Sequence, residues 1–260
     1  MPDWIAAIVL GLIEGITEFL PVSSTGHLLL AEHWLGERSE LFNVVIQTGA
    51  VVAVLAVFAG RAKSLLLGWQ QPVNRDYLAK LAIAFVLTAV GGLLMKKAGL
   101  KLPKDVSPVA WATLIGGVLF VLVELMLRGR KVAENVSWMV AIAVGLAQLV
   151  AVAFPGSSRS GTTILIALVL GLSRSSATEF SFLLGIPTLL AAGAKETLDA
   201  LKNHTPHEPW SHVLLGTVVA AVTAFMVVKW LMRFLQTHTF VTFGWYRIAL
   251  GIVILALLSH

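Results

Sequence analysis

The sequence predicts an all-α polytopic membrane protein with six transmembrane helices and two re-entrant helical hairpins in an inverted-topology repeat. Three observations support this fold class: the composition, the lengths of the apolar segments, and the recurrence of one polar motif. Of the 260 residues, 57% are hydrophobic and 13% are charged, whereas soluble domains carry about 25% charged residues. The mean hydropathy of +0.86 agrees with a chain that lies largely in lipid.

Six apolar segments are long enough for membrane-crossing helices, which need about 17–25 residues. They are residues 42–59, 78–96, 109–127, 178–195, 212–234 and 241–258. No polar, cleavable leader precedes them, so we expect the N-terminus to be mature sequence. The chain has no cysteine, which excludes disulfides, thiolate nucleophiles and cysteine metal sites.

Two further apolar regions are interrupted by polar residues. Their arms are 4–13 and 28–36 in the first region, and 138–154 and 164–172 in the second. The first interruption is PVSSTGH, residues 21–27 (the first tip), and the second is PGSSRSG, residues 155–161 (the second tip). Three of these arms are too short to cross, whereas 138–154 could just span but is followed directly by the second interruption. We therefore predict re-entrant hairpins over 4–36 and 138–172. Non-helical backbone at membrane depth is tolerated only inside protein or beside water, so both tips indicate a polar cavity.

The two halves of the chain align with an offset of 134 residues. This offset places Glu14 on Gln148, Pro21 on Pro155, and Ser23 and Ser24 on Ser157 and Ser158. We therefore expect one membrane domain, 1–260, built from repeats of about 1–130 and 135–260. Each repeat has three spans, so the second is inverted, and inverted repeats place the site between their broken helices. The alternative is a chance match of small residues.

Positive charges weakly indicate the orientation. One side holds Arg61, Lys63, Arg75, Lys80, Arg128, Arg130, Lys131, Arg174, Lys229 and Arg233, and the other holds Arg38, Lys96, Lys97, Lys101, Lys104, Lys195 and Lys202. The larger set favours the first side as cytoplasmic, so the first hairpin opens outside. The net charge of +5 suits anionic lipid headgroups. No solvated basic face indicates a nucleic-acid partner.

Two carboxylates precede the first tip. Glu14 and Glu18 are four residues apart, so both lie on one face of a helix and repel unless a cation or proton intervenes. Ionisable residues within a membrane are candidates for function, and two carboxylates suit Mg²⁺ or Ca²⁺. The alternative is a solvated pair at the membrane interface.

The first tip offers three hydroxyls, a glycine and an imidazole: Ser23, Ser24, Thr25, Gly26 and His27. A helical arm is predicted to begin there, and helix N-termini bind phosphate. A serine becomes a nucleophile when a base takes its proton, and the histidine is near enough in sequence to be that base. The alternative for the histidine is a capping or packing role.

The second tip places Arg159 among hydroxyls. Arginine pairs with phosphate oxygens and stays charged, while Ser158, Ser160 and Thr163 can donate to the remaining oxygens. No carboxylate lies within five residues of Arg159, so its partner is distant in sequence or is a substrate. The alternative is a structural ion pair with Glu14, Glu18 or Glu179.

Together the two tips predict a phosphate-ester or diphosphate site, and its depth in lipid indicates a substrate with a lipid tail. Three other features are weaker. Gln47 either approaches the cavity or bonds to a neighbouring helix, and Glu179 fits an N-terminal helix charge better than catalysis. Residues 204–212 contain three histidines, but their spacing fits no common metal site and predicts a loop.

Three motifs closely resemble those of the bacterial undecaprenyl-diphosphate phosphatase (bacitracin-resistance) family. They are EGITEFLPVSSTGH at 14–27, PGSSRSGTT at 155–163 and EFSFLL at 179–184. The resemblance implies removal of one phosphate from undecaprenyl diphosphate, a C55 polyprenyl lipid. The product is the monophosphate carrier for peptidoglycan and other cell-wall polymers. It also implies dependence on Mg²⁺ or Ca²⁺ and a place in the bacterial inner membrane, and the charge distribution indicates that the site opens outwards.

The resemblance also implies roles for individual residues. Glu14 and Glu18 would hold the metal, Ser24 would attack phosphorus with His27 as base or acid, and Arg159 would neutralise the phosphates. Rival schemes have His27 or a metal-bound water attack. The sequence allows a homodimer and leaves the oligomeric state open.

Two other classes of function compete with the enzyme. Inverted repeats with broken helices are common in carriers, so a transporter or flippase for a phosphate-bearing anion is the main alternative. A carrier needs no nucleophile and no obligatory metal. A structural membrane protein would tolerate replacement of the polar tip residues.

Overall fold

The computed structural model describes residues 2–99, 106–203 and 207–258. In these ranges the chain forms eleven helices: α1 (Asp3–Thr17), α2 (Ser24–Leu35), α3 (Glu40–Val57), α4 (Ala59–Leu67), α5 (Pro72–Lys97), α6 (Val106–Met126), α7 (Trp138–Ala153), α8 (Arg159–Val169), α9 (Arg174–Asn203), α10 (Trp210–Phe234) and α11 (Val241–Leu258). The only pairing of β type in the described ranges is a single bridge between Ala133 and Leu172. The all-α prediction is therefore confirmed.

Each predicted span falls mainly on one helix, and the boundaries agree to within two residues for α3, α10 and α11. Helices α5, α6 and α9 begin three to six residues before the predicted spans, and α9 ends eight residues after its span. Within the described ranges, five helices are long and apolar enough to cross a membrane: α3, α5, α6, α9 and α10. Shorter apolar helices are α7, α8 and residues Val241–Leu257 of α11. The short helix α4 was not predicted; it begins where α3 ends at Phe58 and carries Arg61 and Lys63.

Helices α1 and α2 form one hairpin, and α7 and α8 form another. Helix α1 packs on α2, and an ion pair of 3.0 Å between Arg38 Nη1 and Asp3 Oδ1 joins their open ends. Helix α7 packs on α8, and the open end of this hairpin is joined by backbone hydrogen bonds of 2.8 Å from Ala133 to Gly171 and from Ser173 to Ala133. Each pair therefore leaves and returns at the same end of the molecule.

Both tips have the same unusual backbone. Among the described residues, Ser23 (φ 73°) and Ser158 (φ 68°) are the only non-glycine residues with positive φ. Each serine then caps the following helix, because its Oγ accepts a hydrogen bond from the amide three residues later, at Gly26 and Gly161. A strained backbone at two equivalent places is a mark of a functional site.

This shared geometry moves the repeat alignment at the tips by one residue. The sequence offset of 134 pairs Ser24 with Ser158, whereas the caps pair Ser23 with Ser158, an offset of 135. The additional residue is accommodated at Gly156, whose φ of 93° is one that glycine adopts readily. Arg159 is therefore the structural counterpart of Ser24.

In each half, the first helix of the hairpin packs on a long helix of the other half. Helix α1 packs on α10, and its counterpart α7 packs on α5, while α3 contacts α9 and α6 contacts α11. The contacts of α1 and α7 are close because a glycine faces an alanine backbone: Gly15 against Ala220, and Gly145 against Ala84. This is the pattern expected of two repeats related by a pseudo-two-fold axis.

Candidate active site

The two tips meet at the carboxylate of Glu18, which directly follows α1 and is buried. Its Oε2 accepts hydrogen bonds from Ser24 Oγ at 2.7 Å and from Gln47 Nε2 at 3.1 Å. Its Oε1 accepts from Arg159 Nη2 at 3.1 Å. One side chain therefore joins the first tip, α3 and the start of α8.

Arg159 is the first residue of α8, and its side chain is largely buried. Besides Glu18, it contacts the carbonyl of Ser181 at 3.4 Å and lies 5.1 Å from the centre of the Phe19 ring. Helix α9 can approach only because residue 185 is glycine, where a Cβ would lie 2.2 Å from Arg159 Nη1. Its Nε is buried without a hydrogen-bond partner, so the guanidinium retains donor capacity.

The ion pair between Arg159 and Glu18 is one of the alternatives raised by the sequence. The pair accounts for one nitrogen of the guanidinium, and a phosphate-binding role for Arg159 stays a prediction. Glu179 is not part of this cluster. Its carboxylate accepts from Arg61 at 2.8 Å and from Tyr77 at 3.4 Å, at the end of the molecule where the second hairpin opens.

The hydroxyls of the second tip contact the protein itself. Ser160 Oγ lies 3.1 Å from the carbonyl of Leu20 and 3.4 Å from that of Glu18, which ties α8 to the first tip. Thr163 Oγ1 lies 2.5 Å from Ser181 Oγ, which ties α8 to α9. The Ser160 hydroxyl therefore holds α8 to the first tip, and the Thr163 hydroxyl holds α8 to α9.

His27 does not pair with Ser24 as the sequence led us to expect. Its Nδ1 lies 2.7 Å from the carbonyl oxygen of Ser23, and its Nε2 lies 2.7 Å from the hydroxyl of Tyr246. Ser24 Oγ donates to Glu18 instead. The group placed to take the Ser24 proton is therefore Glu18.

Glu14 is buried in α1, one turn before Glu18, and neither of its carboxylate oxygens has a hydrogen-bond partner. Its counterpart Gln148 is satisfied: the amide donates to Thr88 at 2.8 Å and accepts from Thr188 at 3.3 Å. A buried carboxylate without a partner is costly, so Glu14 fits a site for a cation.

No group of three or more His, Asp or Glu side chains with metal-ligand spacing occurs in the part of the chain that the structure describes. The protein would thus supply two carboxylates, Glu14 and Glu18. That number suits Mg²⁺, which is usually held by one or two carboxylates together with waters and substrate phosphates.

Arg247 is a residue that the sequence analysis missed. It is fully buried in α11 and donates to the carbonyls of Pro21 at 3.2 Å, Gly156 at 3.3 Å, Ser157 at 2.9 Å and Thr113 at 3.1 Å. One guanidinium therefore clamps both tips to each other and to α6. Its position inside an apolar span could have identified it.

An apolar pocket of about 400 Å³ lies between α6, α7 and α8. Exposed apolar side chains line its outer part, including Trp111, Ile115 and Phe154. Its inner part reaches Thr162 and Arg247, next to the second tip. Such a pocket suits an apolar chain whose polar end lies at the tips.

The predicted loop at 204–212 is only partly described. Residues 204–206 lie outside the described residues, residues 207–209 are non-helical, and α10 begins at Trp210. Glu208 in this segment binds the backbone amide and the hydroxyl of Ser39, which caps α3. The contact is structural and lies at the open end of the first hairpin.

Comparison with known proteins agrees with this arrangement. The family described as "Bacitracin resistance protein BacA" matches residues 7–253. The chain belongs to this family. A Xylella fastidiosa protein named undecaprenyl-diphosphatase is 52% identical over 261 residues, covering 100% of both chains. Proteins of the same name from Rhizobium johnstonii and Xanthomonas oryzae pv. oryzae are each 49% identical and cover 98% of this chain and 97% of their own. With its apolar helices, this BacA-family chain is a multi-pass membrane protein.

Proposed function

We propose that this protein is an undecaprenyl-diphosphate phosphatase. It removes the terminal phosphate of the C55 lipid diphosphate, regenerates the monophosphate carrier for cell-wall polymers, and thereby confers bacitracin resistance. Full-length relatives that are about half identical in sequence bear the name of this enzyme. The observation that carries the proposal is the convergence of Ser24, Gln47 and Arg159 on Glu18, which puts a hydroxyl, the carboxylate that accepts its hydrogen bond and a guanidinium in one cluster.

The proposed membrane arrangement has six crossing helices and two re-entrant hairpins. Helix α2 has 12 residues, about 18 Å at 1.5 Å per residue, so its tip reaches the middle of a hydrocarbon core of about 30 Å. The end of the molecule with Arg61 and Arg174 would face the cytoplasm of a bacterial inner membrane. The end with Asp3 and Arg38 would face outwards, with the active site open to that side.

The first chemical step uses Ser24 as nucleophile. Its Oγ attacks the terminal phosphorus, its proton passes to Glu18 Oε2, and the bond from phosphorus to the bridging oxygen breaks. Undecaprenyl phosphate leaves with the bond electrons, and a phosphoserine remains. Arg159 neutralises charge on the transferred phosphoryl group, as fixed donors do in phosphoryl transfer.

The second step hydrolyses the phosphoserine. Water attacks phosphorus and gives its proton to His27, while Glu18 returns its proton to the departing Ser24 Oγ. Inorganic phosphate leaves, and the serine is restored. This scheme keeps the expected role of His27 as a base but moves it from the serine to the water, because the structure pairs Ser24 with Glu18.

A divalent cation, Mg²⁺ or Ca²⁺, is part of the proposal. Glu14 and Glu18 would hold it, and the unpartnered carboxylate of Glu14 is the observation that favours it. When bound, such an ion neutralises phosphate oxygens and makes phosphorus more susceptible to attack. We expect phosphates to bind also at the starts of α2 and α8, where first-turn amides favour anions.

The test is phosphate release from C55 diphosphate by the protein purified in detergent. Release should require Mg²⁺ or Ca²⁺ and should be abolished by Glu18→Ala and by Arg159→Ala. Arg61→Ala is the matched control, because it breaks an Arg–Glu pair of similar length at the opposite end. Retained turnover in both site variants would overturn the site. A wild-type protein that binds the lipid but releases no phosphate would support the carrier instead.

A further inference from the structure

The first tip and α11 meet where His27 contacts Tyr246. Their rings are nearly parallel, with an angle of 7° and a distance of 5.5 Å between centres. The hydroxyl of Tyr246 lies 2.7 Å from His27 Nε2. Tyr246 directly precedes Arg247, whose guanidinium is bonded to both tips, so α11 is held in register with the histidine.

The hydrogen bonds of His27 define its tautomer. The carbonyl oxygen of Ser23 can only accept, so Nδ1 must carry the hydrogen of that 2.7 Å contact. In the neutral ring, Nε2 then has the lone pair, and the Tyr246 hydroxyl donates to it. In the protonated ring the direction reverses, and the Tyr246 oxygen accepts from Nε2. Tyr246 can therefore bond to His27 both before the water approaches Nε2 and after the proton has been transferred.

We propose that Tyr246 is a positioning residue that orients His27 and keeps its Nε2 as the proton acceptor of the site. The inference rests on the proposed function, in which His27 takes a proton from water. Tyr246 is half-exposed, so its side chain has room to yield Nε2 to that water. Nothing else in the described part of α11 bonds to the imidazole.

The first test compares the two tyrosines of the chain. Tyr246→Phe keeps the ring and removes the hydroxyl, and loss of one such hydrogen bond should lower kcat about fivefold. KM should change by less than about twofold, because the group acts in a proton transfer rather than in binding. Tyr77→Phe is the matched control: it removes a hydroxyl bonded to Glu179 at the opposite end and should leave kcat unchanged.

A double-mutant cycle separates positioning from simple structural support. If Tyr246 acts through His27, Tyr246→Phe should reduce the residual activity of His27→Ala no further. A full additional fivefold loss in the double variant would show that Tyr246 acts elsewhere, and the proposal would be wrong. Equal melting temperatures of wild type and Tyr246→Phe should accompany the kinetic result.

The contact itself can be measured without turnover. Protein labelled with 3-fluorotyrosine should give two ¹⁹F resonances, and Tyr77→Phe leaves the one from Tyr246. His27→Ala should shift that resonance, whereas His33→Ala on the same helix should not. An unchanged resonance would overturn the inference. If the wild type releases no phosphate, the proposed function fails, but a shifted resonance still upholds the contact.

Discussion

The first and second tips share one backbone and differ in their side chains. In both, a serine with positive φ caps the next helix through a glycine amide. The residue after that serine is Ser24 in the first tip and Arg159 in the second, and both contact the same carboxylate, Glu18. The two tips therefore share a backbone scaffold, and the difference between them places a serine hydroxyl on one side of Glu18 and an arginine on the other.

The helices that precede the two tips, α1 and α7, also differ in their polar side chains. In α1 the buried polar residue is Glu14, whose carboxylate has no partner, whereas in α7 it is Gln148, whose amide is bonded by two threonines. A satisfied amide stabilises a helix contact, while an unsatisfied carboxylate keeps capacity for a ligand. We infer that the first repeat carries the chemistry and that the second supports and binds.

The largest effect on activity should come from replacing Glu18, the carboxylate at which the two tips meet. Glu18→Gln keeps the shape but removes the charge that accepts from Ser24 and Arg159. We expect kcat to fall about 10³-fold, as when a base and a charge are lost together. Phosphate release measures it, with Glu179→Gln as control, and a loss of less than tenfold would contradict the division of roles.

The second largest effect should come from the cation of the second tip. Arg159→Lys keeps the charge but loses the planar fork, which matches phosphate and carboxylate oxygens better than an ammonium. We expect kcat/KM to fall about 10²-fold, since a bidentate contact is lost. Arg61→Lys should be near wild type. If Arg159→Lys were fully active, a simple charge would be sufficient at this position.

A smaller effect on activity is expected when Glu14 in α1 is replaced by glutamine, the residue found at the corresponding position 148 in α7. Glu14→Gln should raise the Mg²⁺ concentration for half-maximal activity about tenfold or more, by loss of one of two proposed ligands. Without metal, the variant should unfold at the same or a higher temperature, because an unpartnered buried carboxylate is removed. An unchanged Mg²⁺ dependence would exclude Glu14 as a ligand.

The reverse exchange should affect stability rather than activity. Gln148→Glu removes the donor that bonds to Thr88 and buries a carboxylate, so we expect unfolding to become easier by about 1–3 kcal/mol. Thermal unfolding in detergent measures this, while kcat should stay within about twofold of wild type. A large loss of kcat with normal stability would give Gln148 itself a role in the reaction.

Much of this arrangement follows from the sequence because it depends on local patterns. The lengths of the apolar segments predicted the helices, and the motifs around Glu14, Ser24, His27 and Arg159 indicated a phosphate site. The partners of these groups did not follow. Ser24 and His27 are three residues apart, yet the fold turns one to Glu18 and the other to Tyr246, and hydropathy carries no information about such contacts.

Two other features depend on geometry between distant segments. The one-residue difference between the tips arises at Gly156, where a positive φ absorbs an added residue. A fixed offset cannot represent that change. The clamp by Arg247 joins segments separated by up to 226 residues, and only the presence of an arginine in an apolar span signals it.

The most direct test of the account is to trap the reaction intermediate. C55 diphosphate labelled in its terminal phosphate would be mixed with the enzyme, quenched within milliseconds, and the protein digested. We predict label on Ser24, in the first tip, and its absence in Ser24→Ala. Label on His27, or phosphate release by a fully active Ser24→Ala variant, would contradict the claim that the first tip supplies a serine nucleophile to a site completed by the second.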